Sequence, residues 1–249
     1  HVTDMSYMFS GDSNLESLDL SGLDLSKVTN TNNMFDRVGG KIKSVNITNT
    51  KSIPRSILDI YLKALSNAGT TTIDLSGINI SPNVTSLHGL FANMPNLESV
   101  KLSGLDISHI TDMGSMFSGD NNLESLDLSG LDLRNVTDTS SMFAWADWNI
   151  KDVNLDNTKG VTREILDEYV NAARHTNKTN LDLNHITLAS NITDLSNLFA
   201  NMPDVESIDL TGWQTDNVKN MNSMFKNDPK LTTIKGLENW NTKNVTDMS

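Results

Sequence analysis

The sequence predicts an α/β solenoid, with one short strand per coil stacked into a single parallel sheet of about nine rungs. Helical turns are expected on the opposite side, and two of the rungs carry longer α-helices. Three observations predict this. The seven phenylalanines fall on a grid: the steps Phe9 to Phe35, Phe91 to Phe117, Phe117 to Phe143 and Phe199 to Phe225 are equal, and Phe35 to Phe91 and Phe143 to Phe199 are equal to each other and a little more than twice as long. Apolar-x-apolar triplets recur at a near-constant step at Leu18/Leu20, Val45/Ile47, Ile73/Leu75, Val100/Leu102, Leu126/Leu128, Val153/Leu155, Leu181/Leu183 and Ile208/Leu210, with a weaker ninth at Ile234. The stretch MFSGDSNLESLDLSGLDLSKVT at 8–29 returns four coils later as MFSGDNNLESLDLSGLDLRNVT at 116–137. The triplet period, about 27 residues, is that of coils that bury their apolar face only against one another.

Each element follows from its local pattern. Leu15, Leu18, Leu20, Leu23 and Leu25, and again Leu123, Leu126, Leu128, Leu131 and Leu133, fit the L-x-x-L-x-L template of a leucine-rich repeat, one short strand per coil. Period-2 alternation turns Leu18 and Leu20 inward and Ser17, Asp19 and Ser21 outward. Parallel strands about 4.8 Å apart would give a sheet roughly 38 Å long. The two long gaps between phenylalanines each hold one further coil with a strand but no Phe. There Ile57, Leu58, Tyr61, Leu62 and Leu65, and four coils later Ile165, Leu166, Tyr169, Val170 and Ala173, form the stripe of an amphipathic helix. Ser52 and Thr162 are the expected N-caps. The whole chain, 1–249, reads as one solenoid without a domain boundary. It opens mid-repeat on VTDMS at 2–6 and closes on the same string at 245–249, so a segment of a longer array is expected.

Composition narrows the function classes. With no cysteine, disulfides, thiolate zinc sites and cysteine nucleophiles are out. A formal net charge of −12 disfavours nucleic acid and anionic membrane as partners, since both are held by Lys and Arg. No apolar run suits a spanning helix. The 31 asparagines indicate a chain rich in turns.

The string VTDMSYMF at 2–9, repeated as ITDMGSMF at 110–117, VTDTSSMF at 136–143 and VKNMNSMF at 218–225, with an L-x-x-L-x-L strand after the first two, resembles bacterial surface proteins with BspA-like leucine-rich repeats. The resemblance covers all but the two helical coils. It implies a cell-surface or secreted protein, common in Gram-positive bacteria and mycoplasmas, used in adhesion or protein binding, and it carries no catalytic residues.

Packing roles compete with functional ones at every candidate site. The methionines have fixed repeat addresses that Leu shares elsewhere, which is a core pattern rather than a metal-ligand pattern. Trp213 and Trp240 occupy the slot of Leu23 and Leu131 and are expected in the core. Trp145 and Trp148, in AWADWN, replace turn residues and are expected in a loop, either open to a ligand or packed on Tyr169 or Ile165. The outward strand positions Asp19, Asp74, Asp127, Asp182 and Asp209 form a second candidate surface. Asn or Lys interrupts the stack, which favours charge management over calcium binding. His1, His88, His109, His175 and His185 show no metal-ligand spacing. No cofactor is expected. The reading is a non-enzymatic adhesin segment for an extracellular-matrix protein or mucin-type glycan. Self-association through carboxylate protonation near pH 4 to 5, and a passive spacer, are the alternatives.

Overall fold

The computed structural model describes residues 2–146 and 148–249, so His1 lies outside it. The strands among the described residues are β1 (Ser17–Asp19), β2 (Ser44–Asn46), β3 (Thr72–Asp74), β4 (Ser99–Lys101), β5 (Ser125–Asp127), β6 (Asp152–Asn154), β7 (Asn180–Asp182), β8 (Ser207–Asp209) and β9 (Thr233–Lys235). Two helices, α1 (Arg55–Asn67) and α2 (Arg163–His175), follow β2 and β6, and a 3₁₀ turn at Leu237–Asn239 follows β9. All strand pairs are parallel and in repeat register, Leu18 opposite Val45 and Leu126 opposite Val153.

Neighbouring ordinary coils are joined at the strand and at a single parallel bridge such as Asp4 to Asn30; among the described residues a third corner is bridged where a helical coil takes part, as from Asp24 to Lys51. At each corner an Asp or Asn side chain accepts the backbone N–H two residues on, as Asp19 does from Ser21, Asp24 from Ser26 and Asp4 from Ser6. These Asx turns end each extended stretch and bend the chain, which gives the recurrent D-x-S its physical meaning. Inside, Phe91, Phe117 and Phe143 stack at centroid separations of 5.3 and 5.7 Å, and Phe9–Phe35 and Phe199–Phe225 form two further pairs. Offset stacks of this kind add to the burial of the rings.

The strands form three sheets, β1-β2, β3-β4-β5-β6 and β7-β8-β9, rather than the single sheet the periodicity predicts. Both breaks lie directly after a helical coil. A helix about 10 Å across does not fit a stack whose coils are about 4.8 Å apart, so the strand corner opens beside it. The coils stay joined at another corner, through the bridges Ile53 to Ile80 and Val161 to Leu188.

The stretches opposite the strands are not helical in the coils that carry Phe. Alternate N–H groups there point down the stack: Tyr7 to the carbonyl of Asn32, Phe9 to Met34 and Gly11 to Asp36. Those between them turn back three residues, as Ser10 does to Tyr7 and Asp12 to Phe9. A helix would spend every N–H within its own coil and leave its neighbours unbonded. The linked turns need left-handed backbone at every fourth position, which Gly11, Asn33, Asn93, Gly119, Asn197, Asn201 and Asn227 supply. Five of these seven are asparagine, which tolerates that region better than most residues.

Where a helix replaces these turns, arginines supply the missing donors. The Arg55 guanidinium donates to the carbonyls of Ser86 and His88, and Arg163 to those of Asp194 and Ser196. Arg174 continues the series on Leu198 and Ala200. Each guanidinium ties its helical coil to two carbonyls of the next coil, and the bonds on Leu198 and Ala200, both buried residues, spare carbonyls that would be costly to leave without donors.

Three smaller expectations are corrected. The N-cap of α1 is Pro54, not Ser52, whose φ of 58° places it in the preceding turn. Thr162 does cap α2 by position, but its hydroxyl meets that of Thr139 instead of the helix backbone. Met8 and Met248 are exposed and Trp240 is only half-buried, because their coils are covered on one side only in this chain, whereas Trp213 is buried and donates from Nε1 to the Leu183 carbonyl at 3.1 Å.

Candidate functional site

Trp145 and Trp148 are 75% and 77% exposed, so the loop before β6 holds both indoles in solvent and not on Tyr169 or Ile165. Trp145 has a φ of 68°. The same coil position is Gly11, Arg37, Asn93, Gly119, Asn201 and Asn227 elsewhere, all with positive φ. The fold thus fixes left-handed backbone at this address, and an L-residue there costs about 1–2 kcal/mol, most for a bulky side chain.

Asp19, Asp74, Asp127, Asp182 and Asp209 do not converge. Each accepts the N–H two residues on, at 2.8 to 3.2 Å, and so terminates its own strand. The N–H and hydroxyl of Ser21 hold Asp19 below the usual carboxylate range, and the hydroxyl and N–H of Ser76 do so for Asp74. Asp209 is lowered chiefly by the Thr211 hydroxyl. Burial, the largest influence on Asp127, is outweighed by the bonds from Ser129 and Ser103, and its pKa also falls. These shifts move the titration of the four carboxylates down, away from the pH 4 to 5 window. Charge management along the stack is direct: Lys101 Nζ lies 3.3 Å from Asp74, and Lys235 Nζ 3.4 Å from Asp209. Asp182 and Asp209 are register neighbours, yet no three His, Asp or Glu among the described residues are grouped to hold a metal ion.

The break between β6 and β7 forms a cleft of about 380 Å³ that sequence reading alone does not reveal. Val153, Leu155 and Ile186 contribute its apolar lining, and Asp152, Asp156, Asp182, Lys178 and His185 its charged and ionisable groups. Tyr169 of α2 also lines it, 8% exposed, with Lys178 Nζ 5.5 Å from its ring centroid. Burial, and then the charges of Asp182, Asp156 and Asp152, push the phenol up to about 12. The signal in the chain is a departure from the super-repeat. Asp152, Asp156, Lys178 and His185 stand where its first copy has Ser44, Thr48, Thr70 and Gly77.

No helix among the described residues is long and apolar enough to cross a membrane. A comparison with curated proteins finds no match. The family model described as "Mycoplasma protein of unknown function, DUF285" matches three overlapping stretches, residues 1–61, 60–183 and 164–249. Those matches take in every coil, helical and ordinary alike, and the chain belongs to that family of repeat proteins.

Proposed function

We propose that this chain is a binding segment of a bacterial cell-surface protein, an adhesin that engages an extracellular-matrix protein or mucin-type glycan by multivalent contact along a rigid coil. The observation that carries the reading is the pair Trp145 and Trp148, about three-quarters exposed on a loop whose backbone strain the scaffold maintains. Exposed tryptophan is the commonest anchor of a recognition surface and also stacks on sugar rings. Stacked Asx turns and ring stacks make the scaffold stiff, so weak contacts on successive coils add without a large ordering cost. The role is recognition rather than catalysis, at the cell surface or in secreted form.

The test compares two variants with the parent on immobilised matrix proteins and mucin. Trp145→Ala/Trp148→Ala is expected to weaken binding at least about tenfold, as loss of an anchor does. Asp74→Asn/Asp127→Asn/Asp182→Asn keeps the Asx turns, since Asn46 makes the same bond to the N–H of Thr48, and reads the contribution of strand-face charge alone. Full adhesion by both variants with an unchanged thermal transition would refute the reading.

A further inference from the structure

We propose that the cleft between β6 and β7 is a binding site for a basic side chain, an arginine or lysine presented by a partner protein. The inference names a partner chemistry for the adhesin reading, but it rests on residues separate from Trp145 and Trp148.

Three observations carry it. The first is geometric: β6 and β7 are consecutive strands that do not pair, and the space between their ends is a bounded cleft of about 380 Å³. By liquid volume that is room for about a dozen waters, enough for one long side chain. The second is an unpartnered group. Tyr169 is more than nine-tenths buried and lines the cleft, and its hydroxyl makes no hydrogen bond among the described residues. The ring is buried while the hydroxyl oxygen is not sealed from solvent, so this oxygen is an open acceptor at the cleft.

The third observation is charge. Neither the Asp152 nor the Asp156 carboxylate has a hydrogen-bond or ion-pair partner among the described residues. Asp182 Oδ1 accepts the Asn184 N–H, and its Oδ2 lies 3.8 Å from His185 Nε2. Lys178 is the single lysine or arginine in the lining, and it sits over the Tyr169 ring. Three carboxylates outnumber the one ammonium and the one imidazole of the lining, so the cleft is net negative, and two of the three have nothing to neutralise them. An incoming guanidinium or ammonium meets free carboxylate oxygens and a free phenol oxygen, while its aliphatic stem has Val153, Leu155 and Ile186 to cover. Lys178 already shows that a cation is accommodated against this ring. The first super-repeat, which opens beside α1 in the same way, has Ser44 and Thr48 in place of Asp152 and Asp156, so the charge is particular to the second break.

The test uses the whole chain and three short peptides, acetyl-Gly-Gly-X-Gly-Gly-amide with X as arginine, lysine or the uncharged arginine analogue citrulline. Amide-resolved NMR titration is expected to shift signals of 152–156 and 178–186 with the arginine and lysine peptides only, less at high salt. Asp152→Ser/Asp156→Thr installs the residues that the chain itself carries four coils earlier, so the coil should fold. It is expected to weaken binding at least about tenfold, and Tyr169→Phe several-fold. Equal binding of the citrulline peptide, unchanged affinity of the folded double variant, or shifts at the same residues with N-acetylglucosamine instead of the basic peptides would each overturn the proposal. Trp145→Ala/Trp148→Ala should leave peptide binding unchanged, which separates failure of this site from failure of the tryptophan surface.

Discussion

Replacing Asp120 by asparagine should remove a pH dependence from this protein's stability. Asp120 follows the left-handed Gly119 in the turn after Phe117, and its side chain is buried at 0% exposure. Oδ1 accepts the N–H of Met94 in the preceding coil at 2.7 Å, while Oδ2 has no partner. Burial, opposed only by that one bond, raises its pKa from 3.8 to about 7. Between those values the native state holds a proton that the unfolded chain has lost, so stability falls as pH rises and is lowest above pH 7. A shift of about three units corresponds to about 4 kcal/mol at full ionisation, of which about 1.5 is already present at pH 5. Asparagine keeps the Oδ1 acceptor and carries no charge, and any cost of its unpaired amide is the same at both pH values. Urea unfolding at pH 5 and pH 8 is the assay. The parent should lose about 2.5 kcal/mol more than Asp120→Asn across that interval. The strand-face carboxylates, whose pKa values are lowered, titrate below this window and leave the comparison clean. A difference under about 0.5 kcal/mol would mean that the buried carboxylate reaches solvent or a cation when it ionises, and the reasoning fails.

Two further outcomes follow from backbone geometry. Trp145→Gly should stabilise the fold by about 1 kcal/mol by relieving left-handed strain, while weakening adhesion; a lower melting temperature together with full adhesion contradicts both halves of the reading. Gly130 and Gly160 have nearly the same φ, +73° and +72°, but a Cβ on Gly160 would lie 2.7 Å from Arg134 N and one on Gly130 would meet nothing within 4 Å. Gly160→Ala should therefore cost about 1–3 kcal/mol more than Gly130→Ala in chemical denaturation, and equal losses would show that strain alone, not coil-to-coil contact, sets the requirement.

The solenoid was legible because stacking is a local rule repeated: the same inward Leu, Val and Ile meet themselves one coil on, so period alone gives the strands, their parallel register and the Phe rows. The two helices were equally plain from the stripes at Ile57 and Ile165. The continuity of the sheet was not legible, since it depends on a helix about 10 Å thick meeting coils about 4.8 Å apart, a conflict of size that appears only when the coils are stacked. The candidate surfaces divided in the same way. The loop placement of Trp145 and Trp148 followed from their replacing turn residues, but their exposure, as against packing on Tyr169 or Ile165, and the left-handed backbone under Trp145 did not, because positive φ is set by how N–H groups alternate between stack and turn. The outward aspartates lie along the strand corner, where alternation places them, and Lys101 and Lys235 sit beside two of them. Their Asx bonds, and the lowered pKa of four of them, became visible only with the corner geometry.

Sequence by itself determined the coil, its period and which residues face inward, since burial by translation needs no knowledge of distant contacts. Tertiary structure alone decided where the stack opens. It brought Tyr169, Asp152, Asp156 and Asp182 to one cleft from a helix, two separate strands and the turn after β6, and no spacing in the chain encodes a gap left by a neighbour's bulk.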